Sequence, residues 1–232
     1  MPSSFKLLAS LLLVLLLQAC ASVQYQPLAT IDRISPAEGY RPRQAISQQK
    51  LPGNADDVFM VVMFSGGGSR AAALGYGVLE ELNRQRFDWN GKPLSLFDQI
   101  DMTFGVSGGS MLSAYHALHG EDIFDNFERD FLKQNLQDNL KRKVFAVANW
   151  SRLTSPQFGR GDLLEEQLNQ TLFRHATFDD LARKRKGPFT VIASTDMTAG
   201  TRLDFTQEVF DALCLDLSKL PIARAVAASS AV

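Results

Sequence analysis

This sequence has few cysteines and almost no excess of one charge over the other. Cys20 and Cys214 are the two cysteines among 232 residues, so at most one disulfide could form, and only in an oxidising compartment. Lys and Arg number 24 against 25 Asp and Glu, which leaves a formal net charge of -1. Without a basic excess, nothing gathers nucleic acid by counterion release, and we expect no nucleic-acid partner.

Long apolar runs are missing too, apart from one at the start of the chain. Leu7 to Leu17 follows Lys6 and is almost unbroken, but it is shorter than the roughly 20 residues that a spanning helix needs. The run ends in Leu17-Gln18-Ala19-Cys20, which resembles the lipobox of bacterial lipoproteins. The resemblance implies a signal peptide over residues 1–19 and a lipidated Cys20 that joins no disulfide. An ordinary signal peptide or an uncleaved anchor is the alternative.

The remaining sequence divides into a tether and one domain. Residues 20–56 are rich in Gln, Pro, Ser and Arg without apolar periodicity, which predicts a tether between lipid and domain. Residues 57–232 alternate strand and helix patterns, as in a parallel α/β domain. Strands are predicted over 58–64, 100–105, 189–194 and 202–205, and helices over 69–86, 110–118, 124–140, 162–172 and 220–230. The first strand is expected to be buried on both faces.

A G-x-S-x-G sequence, Gly105-Val106-Ser107-Gly108-Gly109, lies between a predicted strand and a predicted helix. A serine on such a sharp turn exposes its hydroxyl, and glycines remove the Cβ atoms that would clash with the neighbouring backbone. The following helix points its N-terminal amides at the place where negative charge would develop. We predict Ser107 as a nucleophile, with Gly105 and Gly109 shaping its elbow.

A second glycine-rich stretch, Ser65-Gly66-Gly67-Gly68-Ser69-Arg70, also joins a predicted strand to a helix. Successive glycines leave backbone N–H groups unshielded, so such a loop can hold an anion. In a hydrolase that anion is the tetrahedral oxyanion, and losing one donor to it costs roughly 2.7 to 4 kcal/mol. We predict Gly66, Gly67 and Gly68 as an oxyanion hole, with Arg70 as a nearby positive charge. A surface salt bridge is the alternative for Arg70.

Taken in this order, the two glycine motifs resemble the patatin-like phospholipase family over about Val58 to Val232. Ala193-Ser194-Thr195-Asp196 and Ala225 to Ala231 are similar to later segments of that family. The resemblance implies a three-layer α/β/α sandwich with a mainly parallel central sheet. It also implies hydrolysis of acyl esters of phospholipids or other lipids by a Ser-Asp dyad, without a metal or cofactor. With the lipobox, it predicts an exported bacterial lipoprotein, delivered to the outer membrane.

The aspartate of that dyad is not visible. In the family it normally lies in an Asp-Gly-Gly or Asp-Gly-Ala turn, downstream of a segment similar to Ala227 to Ala231, but no aspartate here precedes a glycine. We therefore expect a domain incomplete at its C-terminus and low activity for residues 1–232. Asp196, at the end of a predicted strand, is a weaker candidate for the base, with a structural cap as its alternative.

Histidine offers no replacement for the missing base. His116 and His119 lie on the helix after the elbow and point away from Ser107, and His175 lies in a charged helix-end stretch. No Ser-His-Asp triad is therefore predicted.

Three other interpretations stay open. Gly66 to Ala71 also satisfies G-x-G-x-x-A after a strand, and Asp88 lies near the spacing of a ribose-binding acid, as in a dinucleotide-binding domain. Against this, the stretch around Asp88 is typical of a loop, and Ser107 is left unexplained. A non-catalytic lipoprotein with a binding or assembly role is the other class. The basic run Arg183 to Lys186 could touch anionic lipid or be a solvated turn.

Overall fold

The computed structural model describes residues 27–48, 51, 53–55 and 57–230. The signal peptide predicted over 1–19 and the lipidation predicted at Cys20 lie outside the described residues, and both stay predictions. Within the described ranges, no helix is long and apolar enough to cross a membrane.

The strands of the described residues form two sheets. They are β1 (Met60–Phe64), β2 (Arg86–Trp89), β3 (Lys92–Ser95), β4 (Ile100–Gly105), β5 (Phe189–Asp196) and β6 (Thr201–Asp204). The main sheet has the order β1-β4-β5-β6, in which β1, β4 and β5 are parallel and β6 is antiparallel to β5. β2 and β3 form a separate antiparallel hairpin. A mainly parallel central sheet is therefore confirmed.

Helices flank this sheet. They are α1 (Pro42–Gln48), α2 (Gly68–Arg84), α3 (Gly108–His119), α4 (Ile123–Phe127), α5 (Leu136–Phe145), α6 (Val147–Leu153), α7 (Arg160–Leu168), α8 (Phe178–Lys184), α9 (Gln207–Ala212) and α10 (Ile222–Ser229). Helix α3 lies against the three parallel strands and α2 packs on α3, while α10 packs on β5 and α7. Every residue of Phe189–Ala193 in β5 is buried, as in a strand covered on both faces. The architecture is the predicted α/β/α sandwich.

Two elements differ from the prediction because local capping and turn residues override apolar spacing. The helix predicted over 124–140 continues from α4 into a π-helical turn, Glu128–Leu132, and is interrupted after it; α5 begins beyond Asn135, whose side-chain oxygen accepts the Asp138 N–H at 3.1 Å. The loop predicted around Asp88 is the β2–β3 hairpin. Its turn residues Asn90 and Gly91 have φ of 56° and 77°, the left-handed pair that a tight two-residue hairpin requires.

Two predicted burial patterns are wrong at some of their residues. The strand β1 lies at the edge of the described sheet, so Val61 and Met63 are exposed and not buried on both faces. In α2, apolar spacing predicts a packed face of Leu74, Val78, Leu79 and Leu82. Leu79 is buried and Leu82 packs on the core, but Leu74 and Val78 point to solvent and Ala72 and Gly75 are buried instead. A Cβ on Gly75 would lie 2.6 Å from Leu112 Cδ2, so the small residues are what lets α2 approach α3 closely.

The described part of the predicted tether packs on the domain. Tyr40 is 1% exposed, and its ring stacks on Phe189 with centroids 4.2 Å apart. Its hydroxyl donates to the Thr190 carbonyl at 2.8 Å and accepts the Thr190 N–H at 2.9 Å. Arg41 forms a buried ion pair with Asp211 at 2.7 Å. The expectation of an unpacked tether therefore does not describe this segment, because single anchoring residues leave no periodic pattern.

Tyr40→Phe should destabilise the domain by about 1–3 kcal/mol, because it leaves a buried N–H and a buried carbonyl of Thr190 without their partner. The ring stack on Phe189 is kept, so the loss reports the hydroxyl alone. Urea unfolding of both proteins measures the difference. A midpoint equal to that of the wild type would show that water replaces the hydroxyl and that the segment is held by other contacts.

Candidate active site

Ser107 occupies a strained turn between β4 and α3. Its backbone has φ 52° and ψ -121°, a region that side-chain-bearing residues avoid unless the surrounding structure imposes it. The first amides of α3 close over the turn, since Ser110 N–H and Met111 N–H donate to the Ser107 carbonyl at 2.9 and 3.2 Å. The Ser107 side chain is partly exposed. The predicted strand–serine–helix turn is therefore present.

The glycines beside Ser107 lie where the backbone leaves no room for a Cβ. A Cβ on Gly105 would lie 2.6 Å from Ser110 Cα, and one on Gly109 would lie 2.4 Å from the Phe64 carbonyl oxygen. A Cβ on Gly108 would lie only 2.0 Å from the Gly68 carbonyl oxygen. Because these positions are glycines, the turn can pack directly against β1 and against the second glycine motif.

The second motif lies directly beside Ser107. The loop follows β1, and a Cβ on Gly66 would lie 3.4 Å from Ser107 Cβ. Gly67 and Gly68 have φ of 139° and 63°, conformations that other residues rarely adopt. Arg70 is exposed at the start of α2 and forms no ion pair within the described ranges, so the surface salt bridge considered for it is not seen there.

Ser229, at the end of α10, ties the turn to the sheet. Its Oγ accepts the Ser107 N–H at 2.9 Å and donates to the Ala193 carbonyl of β5 at 2.6 Å. This bridge fixes the backbone of Ser107 across 122 residues of sequence. The sequence indicated only that residues 225–231 are similar to a family segment, and a hydrogen bond at this separation has no local pattern.

An apolar cavity of about 1060 Å³ begins at Gly67, Gly68 and Arg70. Its opposite wall comes from α5, α7 and the end of α10. The apolar side chains that line it are Met111, Phe131, Leu136, Leu140, Val144, Phe145, Leu164 and Ala227. A cavity of this size and lining can accept a long hydrocarbon chain.

No general base contacts Ser107 within the described part of the chain. Its hydroxyl makes no hydrogen bond to any side chain there. Asp196 is exposed, and its carboxylate accepts the N–H groups of Thr198 and Ala199 at 2.8 and 3.2 Å. It acts as the cap of a turn, which is the structural alternative considered for it.

Asp88 does not lie where a ribose-binding acid would have to be. It lies in the hairpin strand β2, outside the parallel sheet, and its carboxylate accepts the Gly91 N–H at 2.9 Å. A ribose-binding acid must end a strand beside the glycine loop, and that neighbour is β4. The geometry excludes the dinucleotide-binding interpretation.

Neither histidine of α3 is available for proton transfer. His116 is 1% exposed and stacks on Phe97, and burial lowers its pKa to about 3. Burial also lowers the pKa of His119, whose ring packs on Tyr115. His175 has a left-handed backbone at the end of a helical turn. No histidine hydrogen-bonds to Ser107 within the described residues, and the ring of His116 is a packing group of the core.

His116 should make the domain sensitive to acid. Because its pKa is about 3 when folded and about 6.5 when unfolded, its contribution is complete above pH 6.5 and is lost as pH falls towards 3. His116→Phe should therefore lose about 2 kcal/mol less stability than the wild type between about pH 7 and about pH 4.5. Urea unfolding at both pH values measures this. Parallel pH profiles for the two proteins would show that His116 is protonated while folded.

The parallel sheet, the strained serine turn and the adjacent glycine loop are together characteristic of serine hydrolases. A sequence model of the patatin-like phospholipase family matches residues 62–232. The chain therefore belongs to the patatin-like phospholipase family, a family of lipid acyl hydrolases, as its two glycine motifs indicated. No curated protein matches the chain.

Proposed function

We propose that this protein hydrolyses acyl esters of phospholipids or other lipids, with Ser107 as nucleophile and residues 66–68 as the oxyanion hole. The observation that carries the proposal is the contact of the two glycine motifs, in which Gly66 lies against Ser107. A nucleophile and a set of backbone donors side by side are the minimum that acyl transfer requires.

In the proposed reaction, the Ser107 hydroxyl oxygen attacks the ester carbonyl carbon while its proton passes to a base. The carbonyl oxygen becomes an oxyanion that accepts N–H groups from the glycine loop and the start of α3. The tetrahedral intermediate expels the alcohol, which takes up the proton and leaves an acyl-Ser107. Water then attacks this ester by the same route, releasing the fatty acid and restoring Ser107. We propose an aspartate as this base, as in the Ser-Asp dyad that the family resemblance implies.

The apolar cavity is the proposed site of the acyl chain. The glycine loop, α5 and α7 all line it, and the same loop lies against Ser107 at Gly66, so a chain placed there would have its carbonyl near Ser107. Arg70 also lines the cavity and would attract the phosphate of a phospholipid. The ion pair of Arg224 with Glu165, at 2.8 Å, holds α10 against α7 on the far wall.

Covalent labelling by a fluorophosphonate tests the proposal. The reagent should modify one serine, and mass spectrometry of peptides should place the adduct on Ser107. Ser47→Ala, at an exposed serine of α1, should label like the wild type, whereas Ser107→Ala should not label. An adduct at another serine would remove Ser107 from the mechanism.

A non-catalytic lipoprotein is the second candidate, because the described residues place no base on the Ser107 hydroxyl. Such a protein would keep the sandwich for binding or assembly. Absence of fluorophosphonate labelling, together with tight binding of a phospholipid, would favour it over the hydrolase.

We also propose that Cys20 carries lipid and holds the protein at the outer membrane. An acyl chain contributes about 0.8 kcal/mol per buried CH₂, so two or more chains give stable anchoring. Cells fed a radioactive fatty acid should label the wild type, and Cys20→Ala should remove the label and release the protein from membranes or stall its processing. Cys214→Ala serves as the matched control. Equal labelling of the wild type and Cys20→Ala would contradict lipidation.

A further inference from the structure

The segment from Leu136 to Leu153, which contains α5 and α6, shows large apolar side chains to solvent. Phe145, Val147 and Trp150 are 76%, 73% and 56% exposed. Neither helix contributes a buried residue to the core. Single exposed apolar residues are ordinary, but three within six positions of one projecting segment form a patch.

Basic side chains precede this patch. Lys141, Arg142 and Lys143 lie on the last turns of α5. Arg142 bonds to the Asn139 amide and Lys143 to the Gln170 amide, neither of which carries charge. Only Lys141 has a carboxylate near, that of Asp138 at 3.6 Å, and both side chains are well exposed. The segment thus keeps a positive charge beside its apolar patch.

The run Arg183 to Lys186 differs in this respect. Arg183 and Lys184 pair with Asp179 and Asp180 at 2.8 and 2.9 Å, and Lys186 pairs with Asp122 at 2.7 Å. Arg185 is buried and donates to the Ala45 carbonyl. The basic groups of this run are therefore paired with carboxylates or buried, and we do not expect the run to bind anionic lipid.

The patch is continuous with the cavity beside the glycine loop. Lys141, Val144 and Phe145 line the same cavity that begins at Gly67 and Gly68. A lipid that enters from the side of α5 would therefore pass the patch before its ester reaches Ser107. Amphipathic helices with cationic and aromatic side chains are the elements that lie in the headgroup region of membranes.

We propose that residues 136–153 dock this protein on anionic phospholipid, with Phe145, Val147 and Trp150 in the interface and Lys141 to Lys143 on the phosphates. The proposal rests on the proposed function in one respect, that the cavity behind the segment takes lipid. Docking would bring the cavity entrance to the membrane surface, so that lipid need not cross water to reach Ser107.

Tryptophan fluorescence tests this contact, because Trp89 and Trp150 are the two tryptophans of the chain. Trp89→Phe leaves Trp150, and Trp150→Phe leaves half-buried Trp89 in the hairpin as a matched control. All proteins carry Cys20→Ala and Ser107→Ala, so neither lipidation nor hydrolysis contributes. Vesicles of equal parts phosphatidylcholine and phosphatidylglycerol should shift Trp150 emission to the blue, and brominated acyl chains should quench it. Trp89 should show neither effect.

Neutralising pairs of basic residues tests which basic cluster binds the vesicles. Arg142→Gln with Lys143→Gln should weaken cosedimentation with these vesicles about tenfold or more. Arg183→Gln with Lys184→Gln should bind like the parent, and vesicles of phosphatidylcholine alone should bind both poorly. Unquenched Trp150, or equal losses from the two pairs, would overturn the proposal. Binding needs no turnover, so fluorophosphonate labelling of Ser107 reports the chemistry separately.

Discussion

Ser107→Ala is expected to lower ester hydrolysis by this protein by roughly 10⁴-fold or more, while the fold stays intact. The substitution removes the attacking oxygen. It leaves the structural contacts of this position, because those are made by its backbone N–H to Ser229 and its carbonyl to Ser110. Turnover of a p-nitrophenyl ester measures the loss, and circular dichroism and thermal unfolding check the fold.

Ser47→Ala, on the surface of α1, is the control that should keep full activity. Asp196→Asn should also keep it, since Asp196 caps its own turn. Two results would contradict this account of the site. Near-normal turnover by Ser107→Ala would mean that another group attacks the ester, and loss of activity in a folded Asp196→Asn protein would mean that the base lies at Asp196.

Gly108→Ala is expected to damage both stability and activity. Its Cβ would meet the carbonyl oxygen of Gly68 at 2.0 Å and the carbonyl carbon at 2.6 Å. These are backbone atoms, so no side-chain rotation relieves the clash and the two glycine motifs must separate. We expect a loss of about 3 kcal/mol or more, and a fall in turnover of about 10²-fold, because the donors no longer face the oxyanion.

Gly77→Ala is the matched control, because an added Cβ there meets nothing within 4 Å. In the middle of α2 it should stabilise the domain by about 0.5–1 kcal/mol, as alanine loses less entropy than glycine in a helix. Urea unfolding of both variants gives the comparison. If the two alanines have the same effect on stability, the close contact between Gly108 and Gly68 is not maintained in solution.

The location of the site could be predicted from sequence because its determinants are local. Each glycine motif directly follows a strand, and β1 and β4 are parallel neighbours, so their carboxyl ends meet. The partners that fix the site could not be predicted in this way. Ser229 reaches Ser107 from 122 residues away, and Tyr40 reaches Thr190 from 150 residues away. Only tertiary packing brings such pairs together.

The two burial errors have different physical causes. Val61 and Met63 are exposed because β1 lies at the edge of the described sheet. In α2, Leu79 is buried as predicted, but Ala72 and Gly75 take the buried positions that apolar spacing gave to Leu74 and Val78. Where two helices pack closely, the contact positions need small side chains, and the spacing of hydrophobic residues does not reveal this requirement. The hairpin around Asn90-Gly91 carried a recognisable turn sequence, but its short strands lack the apolar run that marks the main sheet.

The absence of buried residues from α5 and α6 also predicts where the native protein unfolds locally. Because these helices contribute no fully buried residue and only Leu136 of α5 packs on the core cluster, their amide hydrogens should exchange with solvent through local opening, at a free energy well below that of β4 and β5. Limited proteolysis should cut first between Leu136 and Leu153 while the sheet remains folded. Both rates should fall when the segment lies on vesicles, because a membrane would supply the burial that the core does not.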